Sequence, residues 1–424
     1  MSKIINFFFN RKKIIKKIFL TLIVVFIYII GTRIYIPVLT KDQYFLLIFK
    51  EKMSKSFVDM FNMNILGENS RSLCLLSLGI IPYITSSIIM QFAVKFLPFL
   101  KELNEQGERG KKKISLITRC LTIIFAIGQG LSLILRTGII NFKENKIVCL
   151  KIIFFLIVGV FICIWLADLV TSKGIGNGIS LLIVIGISKE LFNTFKNLLY
   201  VNNKFLSIYL KILICFLFLF LLILTVILCS AYLKIPIKYA YKKNIQDIEQ
   251  NIPLKINTAG VLPIILANTI ISIIPTISVF TKENSFFKKI EKIFFESRFN
   301  YLGIGFYIYL LLIIFFSFFS VFITINPNDV AEHLSKKDAF LENIKPGKQT
   351  VYKITGELLK ISIIGTVFLT ILAALPDLIG YFFNIQQYIR FSGTSFIIIV
   401  GVSIEYVENI MTKTNVKNFY NKLF

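Results

Sequence analysis

Long apolar runs alternate with shorter polar, lysine-bearing intervals along the whole of this 424-residue chain. Ile18–Ile30, Ile152–Trp165, Ile212–Leu228 and Tyr307–Ile325 are the plainest runs. With its flanks, each is long enough to cross the ~30 Å hydrocarbon core of a bilayer. The pattern predicts ten helical spans, near 18–37, 76–97, 115–135, 150–171, 177–197, 207–232, 257–280, 303–325, 355–377 and 386–408. An all-α, polytopic membrane protein follows. Ten spans return the chain to its starting side, so both termini face one compartment. Five spans fall in 1–200 and five in 201–424. An odd number per half makes any internal repeat inverted in the membrane, and such folds work at the interface between halves.

One segment breaks the alternation. Residues 57–75 begin "FVDMFNMNILGENSRS", and Asp59, Asn62, Glu68 and Arg71 would each be costly in hydrocarbon. A short re-entrant helix inside the protein or lining a cavity accommodates them, as does an interfacial helix on the outer surface. Elsewhere, ionisable residues such as Arg33, Arg119, Asp168 and Glu405 fall near span ends, where long side chains reach water. The spans therefore lack the mid-membrane polar site of a solute transporter. Two polar loops stand out, 233–256 and 326–354, both too long for tight turns.

Charge changes the picture by setting orientation. Lys and Arg total 48 against 23 acidic residues. Most of them lie between the apolar runs and so do not compose a nucleic-acid surface. Loops on the side of the termini hold 25 basic residues, against 14 on the other side. The positive-inside rule then predicts cytoplasmic termini, or the equivalent compartment of an organelle. The abundance of Lys, Ile, Asn and Phe matches the bias of an AT-rich genome.

Candidate chemistry is sparse. Six cysteines are scattered singly, with no CxxC pair, and His333 is the only histidine. Neither a metal centre nor a disulfide framework is predicted. The stretch "SKGIGNGIS" (172–180) places Gly174, Gly176 and Gly178 at alternate positions. It lacks the preceding strand and the Lys-Ser/Thr ending of a phosphate loop. A tight turn between spans four and five is predicted instead, in which glycine permits reversal and close helix approach. Ile80 and Ile84 are spaced i,i+4, as are Ile179 and Ile183, so each pair shares a helix face. That spacing alone is equally that of lipid-facing or packed residues.

At these residues the chain resembles the SecY/Sec61 family of protein-translocation channels, in its bacterial form. "LGIIPYITSSIIMQ" (78–91) is similar to the family's second span. "KGIGNGISLLI" (173–183) is similar to the junction of spans four and five, and "PLKINTAGVLPII" (253–265) to the start of span seven. "NPNDVAEHLSKKDAFLENIKPGKQT" (326–350) resembles the loop between spans eight and nine, and "FSGTSFIIIV" (391–400) the start of span ten. The five motifs occur in family order and span nearly the whole chain.

The resemblance implies an hourglass channel between two inverted five-helix halves, plugged by the short helix of 57–75. A pore ring of Ile80, Ile84, Ile179, Ile183, Ile265 and Ile398 is implied at the narrowest point. A lateral gate is implied between spans 2 and 3 on one side and 7 and 8 on the other. The implied function is passage of unfolded preproteins, with sideways release of membrane helices into lipid. No catalytic residue, cofactor or metal belongs to that function.

The implied partners are SecE-like and SecG-like membrane subunits, the motor ATPase SecA and the ribosome. They would dock on the two loops through Lys242, Lys243 and Lys345. The earlier loop is short for the family and has lysines where arginines are usual. Lys345 likewise stands where the family carries arginine, keeping the charge and losing the planar fork. The expected location is a bacterial plasma membrane, with a plastid thylakoid or other bacterium-derived organelle membrane as alternatives. The competing reading of ten spans is an inverted-repeat transporter for a small solute.

Overall fold

The computed structural model describes residues 2–38, 73–137, 146–200, 208–239, 250–258, 260–280, 304–336, 338–341, 344–382 and 393–413. Among them a long helix overlaps every predicted span. The N-terminal half contributes α1 (Ser2–Gly31), α2 (Ile81–Phe96), the short α3 (Pro98–Glu105), α4 (Glu108–Thr137), α5 (Lys146–Lys173) and α6 (Gly178–Tyr200). The C-terminal half begins with α7 (Ile208–Ser230), β1 (Tyr232–Tyr239), β2 (Gln250–Lys255), α8 (Leu262–Phe280) and α9 (Ile304–Thr324). It closes with α10 (Pro327–Lys336), β3 (Ala339–Leu341), α11 (Lys348–Phe382) and α12 (Gly393–Lys413). Among the described residues, five helices are long and apolar enough to cross a membrane by length and composition, and a sixth if α2 and α3 form one bent span.

The second span starts later than its hydropathy suggests. Residues 75–80 form turns, and the helix opens with Ile80 as its N-cap and Pro82 in its first turn. Proline suits that place, since its missing N–H has no helical partner there. Upstream, Leu73–Leu75 run beside Ile34–Ile36: the Ile36 N–H donates to Leu73 O at 3.2 Å, and the Leu75 N–H to Ile34 O at 2.8 Å. At its other end α2 stops at Leu97, whose extended backbone is the conformation favoured before a proline. The chain then turns by 97° into α3.

Within the N-terminal half, α2 packs on α4, α4 on α5, and α5 on both α1 and α6. Gly159 of α5 passes so close to the Leu75 carbonyl that no side chain would fit between them. Small residues of this kind let backbones approach where lipid provides no hydrophobic drive for helix association. Arg119 of α4 meets Asp168 of α5 at 3.0 Å, both side chains about half exposed. The two charges that sequence placed near span ends thus satisfy each other. Within the C-terminal half, α8 packs on α9, α9 on α11, and α12 on α7 and α11.

The two long polar loops hold an unforeseen element. Strands β1 and β2 of the earlier loop pair antiparallel, and β3 of the later loop joins β1 on its other side, giving the order β2-β1-β3. Ile235 and Ile237 alternate toward one face, which covers Leu334 of α10 and Ile354 and Leu358 of α11. Pro236 sits where β1 has only β2 beside it, because β3 pairs with Ile237–Tyr239 alone. Proline is tolerated there because no second neighbour needs its N–H. The loops are therefore one folded unit. The period-2 signal ran for too few residues, and with two prolines, to stand out in the sequence.

Candidate functional site

The turn at 174–178 joins α5 to α6, and each glycine has its own reason. Gly176 adopts φ +71°, a left-handed conformation that side-chain-bearing residues avoid. It also lies under the Tyr406 ring of α12. Gly174 is wedged against Thr21 of α1 and the carbonyl of Val170, while a Cβ on Gly178 would overlap the Ala167 carbonyl of α5. The Gly178 N–H donates to Thr171 Oγ1 at 2.9 Å. Asn177 then caps α6, its Oδ1 accepting from the Ile179 N–H at 3.0 Å.

The six predicted ring isoleucines converge on two adjoining apolar clusters. Ile80 and Ile84 are buried in the larger one, and Ile179, Ile183 and Ile265 pack against it half-buried. Ile398 is buried in a smaller neighbour with Ile187 and Val402. Ile183 and Val261 touch both, so the two clusters are continuous. Ile80 is not in the helix with Ile84, as the i,i+4 argument assumed. It is the cap, and its carbonyl accepts the Ile84 N–H at 3.1 Å.

The halves meet along two seams. On one, α6 packs against α12. On the other, α8 packs against α4 and α2. The second seam carries a ring stack that sequence reasoning did not single out. Phe92 of α2 lies 5.1 Å from Phe319 of α9 at an interplanar angle of 4°, and Phe96 lies 6.0 Å from the same ring. Their i,i+4 spacing puts Phe92 and Phe96 on one face of α2. That spacing was visible, but nothing in it pointed to Phe319.

Of the predicted docking lysines, Lys345 is exposed at the polar end of the bundle, in the loop between β3 and α11. Lys242 and Lys243 lie outside the described residues, as do 57–72 of the predicted plug. The folded unit does carry a polar network missed in sequence. Tyr232 and Lys255 are cross-strand partners at the end of the β1–β2 ladder. Both reach Glu408 of α12. The Tyr232 hydroxyl donates to Oε1 at 2.6 Å, and Lys255 Nζ donates to Oε1 and Oε2 at 3.1 and 3.0 Å. The ammonium also lies 5.5 Å from the centre of the Tyr232 ring. Burial alone pulls Lys255 down, but the Glu408 carboxylate and Tyr232 outweigh it and hold the ammonium above the ordinary lysine value. Burial, reinforced by the bond to Glu408, pushes the Tyr232 phenol up.

Among the described residues, no three His, Cys, Asp or Glu side chains come together as a metal centre would require. What the arrangement offers is a continuous apolar core between two helical halves, with a folded polar unit at one end.

The chain is similar to the protein translocase subunit SecY of Staphylococcus carnosus (strain TM300), at 31% identity over 428 positions covering 97% of each chain. The SecY subunit of Staphylococcus epidermidis strain RP62A is 32% identical over the same span. A solved protein-conducting channel superposes with a TM-score of 0.63 at 17% identity, covering 94% of this chain and 92% of the other. Sec61 from the canine ribosome-channel complex of the endoplasmic reticulum does so at 0.62, with the same identity and coverage. At that identity the two structures speak for the fold. The SecY family model matches residues 74–407, most of the chain, and with the end-to-end relatives this shows that the chain belongs to the SecY family.

Proposed function

We propose that this chain is the channel subunit of a Sec preprotein translocase, passing unfolded secretory proteins across a membrane and releasing hydrophobic helices sideways into lipid. The end-to-end match to translocase subunits, 97% of both chains, carries the reading. A small-solute transporter, the other reading of ten spans, has no such support.

The six isoleucines form the collar at the constriction. Branched aliphatic side chains exclude water and ions, as other apolar constrictions do. They offer no fixed hydrogen bonds, so they favour no particular peptide sequence, and an extended chain can slide between them. Sideways release runs through the seam of α8 and α9 against α2 and α4. There Phe92 and Phe96 stack on Phe319, an apolar contact that a hydrophobic segment can replace. Residues 57–75 plug the outer funnel of the idle channel.

The folded unit of the two polar loops receives the cytosolic partners. Relatives of this fold include Sec61 in a ribosome-channel complex and a yeast Ssh1 complex on the ribosome. The ribosome is accordingly one partner here, with SecA as the motor and SecE-like and SecG-like subunits in the membrane. The termini lie on the cytoplasmic side of a bacterial plasma membrane.

The test is import. Proteoliposomes holding this chain with its membrane subunits and motor should protect a signal-bearing precursor from added protease when ATP is present. An equal signal from liposomes lacking the chain would refute the proposal.

A further inference from the structure

The cytoplasmic end of α12 touches the polar unit on one side and the start of α6 on the other. Glu408 binds Tyr232 and Lys255 at the base of the sheet. Tyr406, two residues earlier, lies about 200° away around the helix. Its ring occupies the space over Gly176, where a Cβ would come within 2.8 Å of it. Its hydroxyl donates to the Asn177 carbonyl at 3.5 Å, the long end of the range. That carbonyl also accepts the Leu181 N–H at 3.1 Å, the bond that opens α6. Ile179 lies within the turn that this bond closes, and Ile183 two residues beyond it. Tyr406 also packs in the small apolar cluster with Ile183 and Ile398. Along α12, Ile398, Val402 and Tyr406 follow one another at intervals of four, so they share a face.

We propose that this end of α12 is a mechanical link, in which Glu408 fastens the helix to the docking unit and Tyr406 carries its movement to the Gly176 turn and the collar. Tyr406 and Glu408 are thus assigned as positioning residues, acting through the helix and the turn they hold. The inference rests on the channel reading above and adds to it how docking reaches the constriction. Its physical basis is contact at both ends of one rigid element. A two-oxygen grip by Lys255 resists rotation of the helix end more than a single contact would. The ring over Gly176 is a packed contact with no slack. A shift of the sheet is therefore passed to α12 through Glu408, and from α12 to the turn through Tyr406.

Two measurements on the assembled complex in nanodiscs test the link. One is the affinity for ribosomes stalled on a signal-bearing nascent chain. The other is the fraction of bound nascent chain that crosslinks to a cysteine-reactive probe placed at the collar. Glu408→Ala should leave affinity unchanged and lower the engaged fraction about fivefold, the lower end of coupling between sites. The exchange Lys255→Glu with Glu408→Lys should restore it, which a mere folding defect would not allow. Affinity falling in parallel with engagement would make Glu408 part of the docking surface and overturn the proposal. Wild-type engagement in Glu408→Ala would also overturn it. Absence of nascent-chain engagement in the wild type would instead refute the channel reading, and this link with it.

Discussion

Gly176→Ala followed by Tyr406→Ala separates the two costs that meet at one residue. The backbone at Gly176 has φ +71°. A side-chain-bearing residue there costs about 1–2 kcal/mol from left-handed crowding. The added Cβ would also lie 2.8, 2.9 and 3.1 Å from three atoms of the Tyr406 ring. Ordinary carbon contacts are at about 3.5–4.0 Å. Either the ring or the turn must shift, and over-packing of this kind costs about 1–3 kcal/mol. Gly176→Ala alone should therefore destabilise by about 2–5 kcal/mol. In the double variant the crowding remains and the overlap disappears, so the cycle should show about 1–3 kcal/mol of favourable coupling. Equilibrium unfolding in mixed detergent micelles measures all four corners. Gly178→Ala is the control: its Cβ would overlap the Ala167 carbonyl, and trimming Tyr406 cannot relieve a clash with backbone. Coupling below about 0.5 kcal/mol between Gly176 and Tyr406, within ordinary additivity, would refute the contact on which the turn's positioning rests.

Two further substitutions address the constriction and the docking loop. Replacing Ile84 and Ile183 together by serine puts two hydroxyls into the collar, and ion conductance of the reconstituted channel should rise; unchanged conductance counts against a seal made by these residues. Lys345 is exposed, and the Thr350 hydroxyl binds its backbone carbonyl at 3.2 Å, so the loop's shape does not depend on the lysine side chain. Lys345→Arg should translocate like the wild type and Lys345→Glu should fail, with partner binding by the wild type weakening as salt screens the charge; equal activity of all three would remove Lys345 from docking.

Helix positions were legible because ten apolar runs are separated by charge, and a helix overlaps each run, although the first already begins at Ser2. The errors of extent have local causes. Pro82 and the pairing of Leu73–Leu75 with Ile34–Ile36 delay α2 to Ile81. Hydropathy counts the apolar residues of 76–80 without registering that they lie in turns. The first span ends earlier than predicted, at Gly31, because Ile34–Ile36 are used in that pairing and not in helix. The sheet was hidden for a different reason: β1 and β3 come from loops about a hundred residues apart, and neither has enough alternation to announce a strand.

Helix rotation was not legible, and here the solvent is responsible. In water a helix advertises its buried face by polar residues on the other. In lipid both faces are apolar, so Ile183 packed against the core and Ile223 exposed on its helix look alike in sequence. Only a family pattern could single out the six isoleucines. Polarity regains its meaning where the helices leave the membrane, and the informative contacts lie there. Yet Tyr232 and Glu408 are 176 residues apart, Lys255 and Glu408 are 153 apart, and Tyr406 and Asn177 are 229 apart. Each residue is ordinary in its own loop or helix end: a charge near water, or an aromatic at an interface. The meaning of each comes from the contacts that α12 makes with the folded polar unit on one side and with the start of α6 on the other. A single-chain periodicity cannot encode such contacts, because their two sides are written far apart in the chain. This makes the end of α12 the place where a substitution silent in any local reading should have its largest effect on how the halves move together.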